Sequence, residues 1–248
     1  MGEVANIANM LKRKKESTDS LPAIYSDKDP AWRKRVEDHD RRMEEKFWTE
    51  YRRDTRRKMA KRAEVILKDN GLEEVIDRYQ FANFVANEIW QKVALDRARN
   101  YSANPRGWFL TAGQTGCGKT HLCTAVVGDL LDRNHEVEYF LWRQSYPDVS
   151  GFGDEQRKKL NRLRVAEVLY IDDFLKAKPT EQEIKIAFDI IDARYRTRRP
   201  TIISTERMPA ELEDIDAALW GRIHEMSEGH RIIIQKNPSR DHRTNGGK

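Results

Sequence analysis

The sequence predicts an α/β protein, a parallel sheet wrapped by helices over residues 76–248, with a charged helical region over residues 1–75 in front of it. Three observations predict this fold. After residue 105, short apolar runs alternate with segments of helical period, as in successive strand–helix–strand units. A glycine-rich run ending in lysine and threonine separates the first of these strands from its helix. A later apolar strand runs straight into two aspartates.

Taken in chain order, residues 1–30 mix charge, serine, aspartate and two prolines without periodicity, which predicts a largely disordered start. From Asp38 the pattern changes: Met43, Phe47, Tyr51, Thr55, Met59, Ala63 and Ile66 recur every three or four positions, one side of a long helix that Asn70-Gly71 ends. Its remaining surface is basic, with seven basic residues and one acid in residues 52–62. Such a helix either packs its stripe on a neighbour or docks another protein or nucleic acid. A second helix is expected over residues 75–101, with Phe81, Phe84, Val85, Ile89 and Val93 on one face and Asn104-Pro105 as its stop. Strands are then expected at 108–112, 137–142, 165–171, 201–205 and 231–235. Helices are expected at 119–133, at 180–198 with Ile184, Phe188, Ile191 and Tyr195 facing inward, and at 215–226.

Composition sets limits on function. Of 248 residues, 35% are charged and 38% hydrophobic, and no stretch approaches the ~18–20 apolar residues of a membrane span. The start of the chain has no apolar signal-like segment. Two cysteines, Cys117 and Cys123, make neither a disulfide framework nor a four-ligand zinc site, so a reduced, cytoplasmic setting fits. The net charge of +5 arises from 46 basic and 41 acidic residues, a mixture compatible with a polyanionic partner but not a basic tail.

The chemistry is carried by Gly113-Gln114-Thr115-Gly116-Cys117-Gly118-Lys119-Thr120, followed by His121. Glycines at these positions let consecutive backbone N–H groups converge on one anion, and the next helix adds its positive end. Lys119 then reaches the β- and γ-phosphates, and the Thr120 hydroxyl ligates Mg²⁺. Cys117 reads as a small filler at a variable loop position. The metal acid is expected at the carboxyl end of a neighbouring buried strand. Val168-Leu169-Tyr170-Ile171-Asp172-Asp173 supplies it, with Asp172 toward Mg²⁺ and Asp173 orienting the attacking water. At the same edge, Ser204, Thr205 and Glu206 are each candidates for contact with the γ-phosphate or the water, the other reading being a plain strand exit.

With GQTGCGKTHL, a strand ending in LW, LYIDDFLK, RYRTRRPTIISTER and GRIHEM in this order, residues 79–243 resemble the DnaC/DnaI/IstB-like helicase-loader ATPases of the AAA+ superfamily, nearest the phage and Gram-positive replication branch. The resemblance implies a five-stranded P-loop sheet of order 5-1-4-3-2, ATP with Mg²⁺, and self-association in which an arginine of one subunit completes its neighbour's site. It implies delivery of a hexameric replicative DNA helicase of the DnaB type onto single-stranded DNA, with residues 1–75 as the helicase-binding region. By the same resemblance Arg222 matches the trans-acting arginine, Arg243 the second sensor and Glu206 the first sensor position. Three departures bear on this. Glu206 stands where many relatives carry Asn or Thr. The acids are Asp-Asp rather than Asp-Glu, which suggests slow turnover. Too little chain follows Glu206 for a separate helical lid. Within this frame Lys176 and Lys178, on a loop facing a ring's pore, and Arg157, Lys158, Lys159, Arg162 and Arg164, in an added helix, are candidate DNA contacts, with Tyr146, Phe152 and Phe174 as stacking partners. The other reading of these basic segments is a solvated surface. An IstB-like transposition helper and a P-loop small-molecule kinase are the competing functions.

Overall fold

The computed structural model describes residues 78–151 and 153–237, together with positions 38, 39, 41–43, 45, 46, 76 and 240. By contacts the chain divides into Met1–Asp54 and Thr55–Lys248. In the first unit the described residues are helical, as the periodicity from Asp38 predicts, and the remainder of the span expected to be helical, to residue 70, lies outside the described residues. Phe152 and Arg243 also lie outside them.

The second unit carries a five-stranded parallel sheet, β1 (Trp108–Gly113), β2 (Val137–Leu141), β3 (Val168–Asp172), β4 (Thr201–Thr205) and β5 (Arg231–Ile234). Its spatial order is β2-β3-β4-β1-β5, the expected 5-1-4-3-2 read from the other edge. The helices, in chain order, are α1 (Ile89–Ala103), α2 (Lys119–Asp132), the short α3 (Trp142–Ser145) and α4 (Pro147–Ser150), α5 (Asp154–Val165), α6 (Glu181–Arg196), α7 (Pro209–Ile215) and α8 (Ala217–Met226).

Strand period two divides the core. Trp108, Leu110, Leu169, Ile171 and Ile203 face one side, where Ile190 and Ile191 of α6 and Leu219 and Ile223 of α8 cover them. Phe109, Val168, Tyr170 and Ile202 face the other, against Leu122 and Val126 of α2 and Ala94, Ala98 and Tyr101 of α1. Apolar residues on both faces are what a sheet covered on both sides requires. α6 opens on a reciprocal cap: the Glu183 N–H donates to Thr180 Oγ1 at 3.2 Å and the Thr180 N–H to Glu183 Oε2 at 2.8 Å.

Two expected elements differ. The helix expected over 75–101 is interrupted: Ile76 and Arg78 are helical, but Phe81–Asn83 is a 3-10 turn, Phe84 is extended, and α1 begins at Ile89. Ile89 and Val93 are exposed, and α1 buries Gln91, Ala94, Ala98, Tyr101 and Ser102 instead. The aromatics before Ile89 are drawn to the glycine-rich loop, as described below. The helix expected over 215–226 is broken at Asp216, whose carboxylate caps α8 by accepting from the Leu219 N–H at 2.8 Å. Smaller shifts are that Trp142 opens a helix rather than closing β2, and Val165 closes α5 rather than opening β3.

One buried cation went unread in the sequence. Arg194 of α6 is fully buried, and its guanidinium donates to Leu163 O at 2.9 Å, Ala166 O at 3.0 Å and Thr201 Oγ1 at 2.8 Å, as well as to Pro200 O. It thereby satisfies carbonyls at the end of α5 and ties them to the start of β4. Arg194→Met keeps the stem but orphans these acceptors at roughly 1–3 kcal/mol each, so a net loss of about 3 kcal/mol is expected after relief of the buried charge. Thermal unfolding would read this as a fall of roughly 10 °C in Tm.

Candidate nucleotide-binding site

The sheet register brings the expected residues to one edge. Ala112 pairs with Thr205, which sets Glu206 beside the loop that follows β1, and Ile171 pairs with Ile203, which sets Asp172 beside Ser204. The loop itself needs its glycines. Gly113 has φ +149° and a Cβ there would lie 2.5 Å from Ile234 O; Gly118, at φ +91°, opens α2 in the left-handed region.

A cleft of about 380 Å³ is lined by Thr115 to His121, Asp173, Lys176 and Glu206, together with Tyr79, Asn83, Phe84, Val85 and Gln91. Lys119 is buried in it, and its ammonium donates to Gln114 O within its own loop at 2.7 Å. The Gln114 side chain pairs with the backbone of Asn237 in both directions, at 2.8 and 2.6 Å. Cys117 is buried, donates to Gln114 O at 2.8 Å, and burial pushes its thiol up from the ordinary value, consistent with a filler role.

Asp172 is nearly buried and held from two strands. Tyr139 of β2 donates to its Oδ2 at 3.2 Å, and the Ser204 hydroxyl of β4 donates to its Oδ1. Burial and the neighbouring Asp172 carboxylate push the Tyr139 phenol up, so it stays protonated as the donor. Ser204 therefore positions the acid rather than reaching a phosphate. Thr205 is also turned away: it is fully buried and donates to Phe174 O at 2.8 Å. Of the three candidates at this strand end, only Glu206 lines the cleft.

Glu206 accepts from the Thr115 hydroxyl at 2.7 Å and from the Lys176 ammonium at 3.0 Å, both on Oε1. Burial works against its charge, but these donors outweigh it and hold Glu206 below the usual carboxylate range, so it acts as an acceptor and not as a donor. Asp173, in the left-handed region at φ +54°, accepts from Lys176 at 3.2 Å. For Lys176 burial again opposes the charge, and the two carboxylates outweigh it, raising its affinity for the proton.

The aromatic cluster beside this loop was not legible as a site in the sequence. The His121 ring lies 4.9 Å from that of Tyr79 and 5.1 Å, edge-on, from that of Phe84, and its Nε2 is 2.9 Å from Gln80 O. Burial lowers its pKa, favouring the neutral ring. A Cβ on Gly118 would meet the Phe84 ring at 3.2 Å. A cluster of aromatic rings next to a phosphate loop suits a heteroaromatic base.

The remaining candidates fall elsewhere. Arg222 does not line the cleft; its Nε donates to Asp192 at 3.0 Å and its guanidinium lies 4.7 Å from the Phe188 ring centroid. In α5, Arg157 pairs with Asp154 at 2.5 Å, Lys159 lies 3.6 Å from Glu155 and 3.7 Å from Asp148, Arg162 lies 2.7 Å from Glu138, and Arg164 pairs with Asp189. Lys158 and Lys178 are exposed. Phe174 is fully buried against Trp142, 5.0 Å between ring centroids, and Tyr146 stacks on the same indole, so Phe174 is core and not a free platform for bases.

For the metal, Thr120 and Asp172 offer oxygen donors, the chemistry Mg²⁺ prefers. Among the described residues no group of three or more His, Cys, Asp or Glu forms a complete cage. Mg²⁺ commonly keeps waters and takes phosphate oxygens, so a single carboxylate and a hydroxyl fit it. Among the described residues no helix is long and apolar enough to cross a membrane.

Comparison with known proteins gives the same picture. Residues 75–227 match the family described as the bacterial DnaA ATPase domain. The uncharacterized protein YqaM of Bacillus subtilis is 29% identical over 185 residues, 68% of this chain and 59% of that one. The phage-like element PBSX protein XkdC of the same organism is 34% identical over 129 residues, 50% of this chain and 48% of that one. The chain thus spans about half the length of these curated relatives. In fold it resembles a crystal structure of the DnaC helicase loader, with a TM-score of 0.56 at 20% identity over 64% of this chain and 98% of the other.

Proposed function

The chain belongs to the bacterial DnaA ATPase-domain family, an AAA+ type of P-loop domain, and from that premise we propose that it hydrolyses ATP to load a hexameric replicative helicase of the DnaB type onto single-stranded DNA. The observation that carries the hydrolytic part is the convergence of Lys119, Asp172, Asp173 and Glu206 at one edge of the sheet. Asp173 and Glu206 stand across from a phosphate loop, so the group activated there is water rather than a bulky acceptor. That favours hydrolysis over a small-molecule kinase.

In this reading the N–H groups of residues 114–119 and the start of α2 hold the β- and γ-phosphates. Lys119 exchanges the Gln114 carbonyl for phosphate oxygens. Thr120 and Asp172 would hold Mg²⁺, which would supply positive charge against the phosphates. Asp173 orients a water in line with the terminal phosphorus and takes its proton as the new P–O bond forms and the bridge to ADP breaks. Glu206 fixes Thr115 and so the shape of the loop. Tyr79, Phe84 and His121 flank the adenine. The Asp-Asp pair suits slow turnover, that of a switch.

The loading role draws support from the fold shared with a helicase loader and from the phage-element relative. Residues 1–75 grip the helicase. Arg222, outside its own cleft, completes a neighbour's site upon self-association, and Arg243 serves as second sensor. Lys178 and the outer face of α5, with Arg157, Lys158 and Lys159, track the DNA backbone, a contact that salt weakens. The test is a loading assay on single-stranded DNA with the host's replicative helicase. Wild type loads only with ATP, while Lys119→Ala and Arg222→Ala fail. Equal loading without ATP, or full activity of both variants, contradicts the proposal.

A further inference from the structure

Lys176 occupies a place that the sequence did not foretell. It follows Asp173 on the loop after β3, yet its ammonium turns back into the cleft, 3.2 Å from Asp173 Oδ2 and 3.0 Å from Glu206 Oε1. That Glu206 oxygen also accepts from Thr115 of the phosphate loop, so the amine stands one oxygen away from the loop. The backbone around it is pinned: Arg207 donates to Leu175 O at 3.0 Å and to Ala177 O at 2.9 Å, the carbonyls on either side of Lys176. A flexible four-carbon stem on a fixed base can re-aim its charge without moving the loop.

We propose that Lys176 reads the terminal phosphate of the nucleotide, donating to a γ-phosphoryl oxygen of a bound triphosphate and to the Asp173 and Glu206 carboxylates once that phosphate has gone. The inference rests on the ATPase reading above. Charge is the physical reason. Asp173 and Glu206 face the site of a polyanion, and the ammonium between them offsets their repulsion. Lys119 approaches from the phosphate loop and Lys176 from the loop after β3, so a triphosphate whose γ-phosphoryl group reaches Lys176 gains a charged hydrogen bond that a diphosphate lacks. When Lys176 turns to the phosphate it releases Asp173, whose oxygens are then free to accept from water. Departure of phosphate restores the bridge, which ties the end of β4 to the loop after β3.

The test compares affinities for a non-hydrolysable ATP analogue and for ADP, with Mg²⁺, by calorimetry. Lys176→Met is expected to weaken the triphosphate by about tenfold or more and ADP by less than about threefold, the difference being one charge-assisted hydrogen bond. Should that variant fold poorly, Lys176→Met with Glu206→Gln removes one of the facing charges and is expected to show the same lost preference. Equal weakening of both nucleotides assigns Lys176 a merely structural role, and an unchanged preference removes it from the site; either overturns the inference. Wild type that binds neither nucleotide overturns the ATPase reading and this inference with it, whereas wild type that prefers the triphosphate as strongly as the variants do overturns this inference alone.

Discussion

Lys119→Ala is expected to weaken MgATP binding by about two orders of magnitude or more and to bring phosphate release below detection, because each charge-assisted bond from this ammonium is worth roughly 1.5–3 kcal/mol. The magnitude follows from where the amine sits. Lys119 is buried at the first turn of α2 and its ammonium donates to Gln114 O at 2.7 Å, so it is already aimed along the loop that closes around the phosphates. Truncation removes a cation from a buried position at the end of the phosphate loop. The fold survives, since Gly113 and Gly118 set the loop path and the flanks of β1 and α2 pack through Phe109, Leu122 and Val126. Calorimetry with ATP, alongside a thermal melt that matches wild type, separates lost binding from lost folding.

The second large effect is on turnover alone. Asp173→Asn is expected to leave ATP affinity within about threefold of wild type and to slow hydrolysis by about 10²-fold or more, the usual worth of a positioned general base. An amide keeps the size of the side chain but accepts a proton poorly. Asp172→Asn behaves differently: one of the Tyr139 and Ser204 hydroxyls loses its acceptor and the anionic oxygen toward Mg²⁺ is gone, so the loss appears in magnesium-dependent binding as well. Single-turnover phosphate release measured at saturating ATP distinguishes the two. If Asp173→Asn hydrolysed at the wild-type rate, the water-activating role would pass to Glu206.

The sheet and its phosphate loop were readable because their signals are local. An apolar strand, a fixed run of glycines and an amphipathic helix lie within a few dozen residues, and Val168 to Asp173 shows its own change from apolar to acidic. What lay across strands was not readable. Ser204 serves Asp172 because Ile171 pairs with Ile203, and no spacing within the sequence states that register. Tyr139 reaches the same acid from β2, one strand further over. Arg194 sits among inward residues of α6 and looked like one charge among many, although its guanidinium organises the end of α5.

The segment before α1 misled for a definable reason. Phe81, Phe84, Val85, Ile89 and Val93 have helical spacing, and Glu88 is a weak start signal for a new helix because N-caps are usually Ser, Thr, Asp or Asn. The helix nonetheless starts after Glu88, whose N–H donates to Gln91 Oε1 at 2.8 Å, and the aromatics upstream turn to cover His121 and Gly118. Three aromatic residues fall within positions 79–84, Tyr79, Phe81 and Phe84, a density more suited to a binding wall than to a helix face. Lys176 illustrates the same limit: its proximity in sequence to Lys178 suggested a shared surface role, and only folding separates an exposed lysine from one clasped by two acids.

The most direct measurement is calorimetric titration of the full chain with ATP in the presence and absence of magnesium. A single class of sites whose affinity falls sharply when magnesium is withheld, and which disappears in Lys119→Ala, is the expected result. Well-folded protein that takes up no adenine nucleotide under either condition would contradict the account.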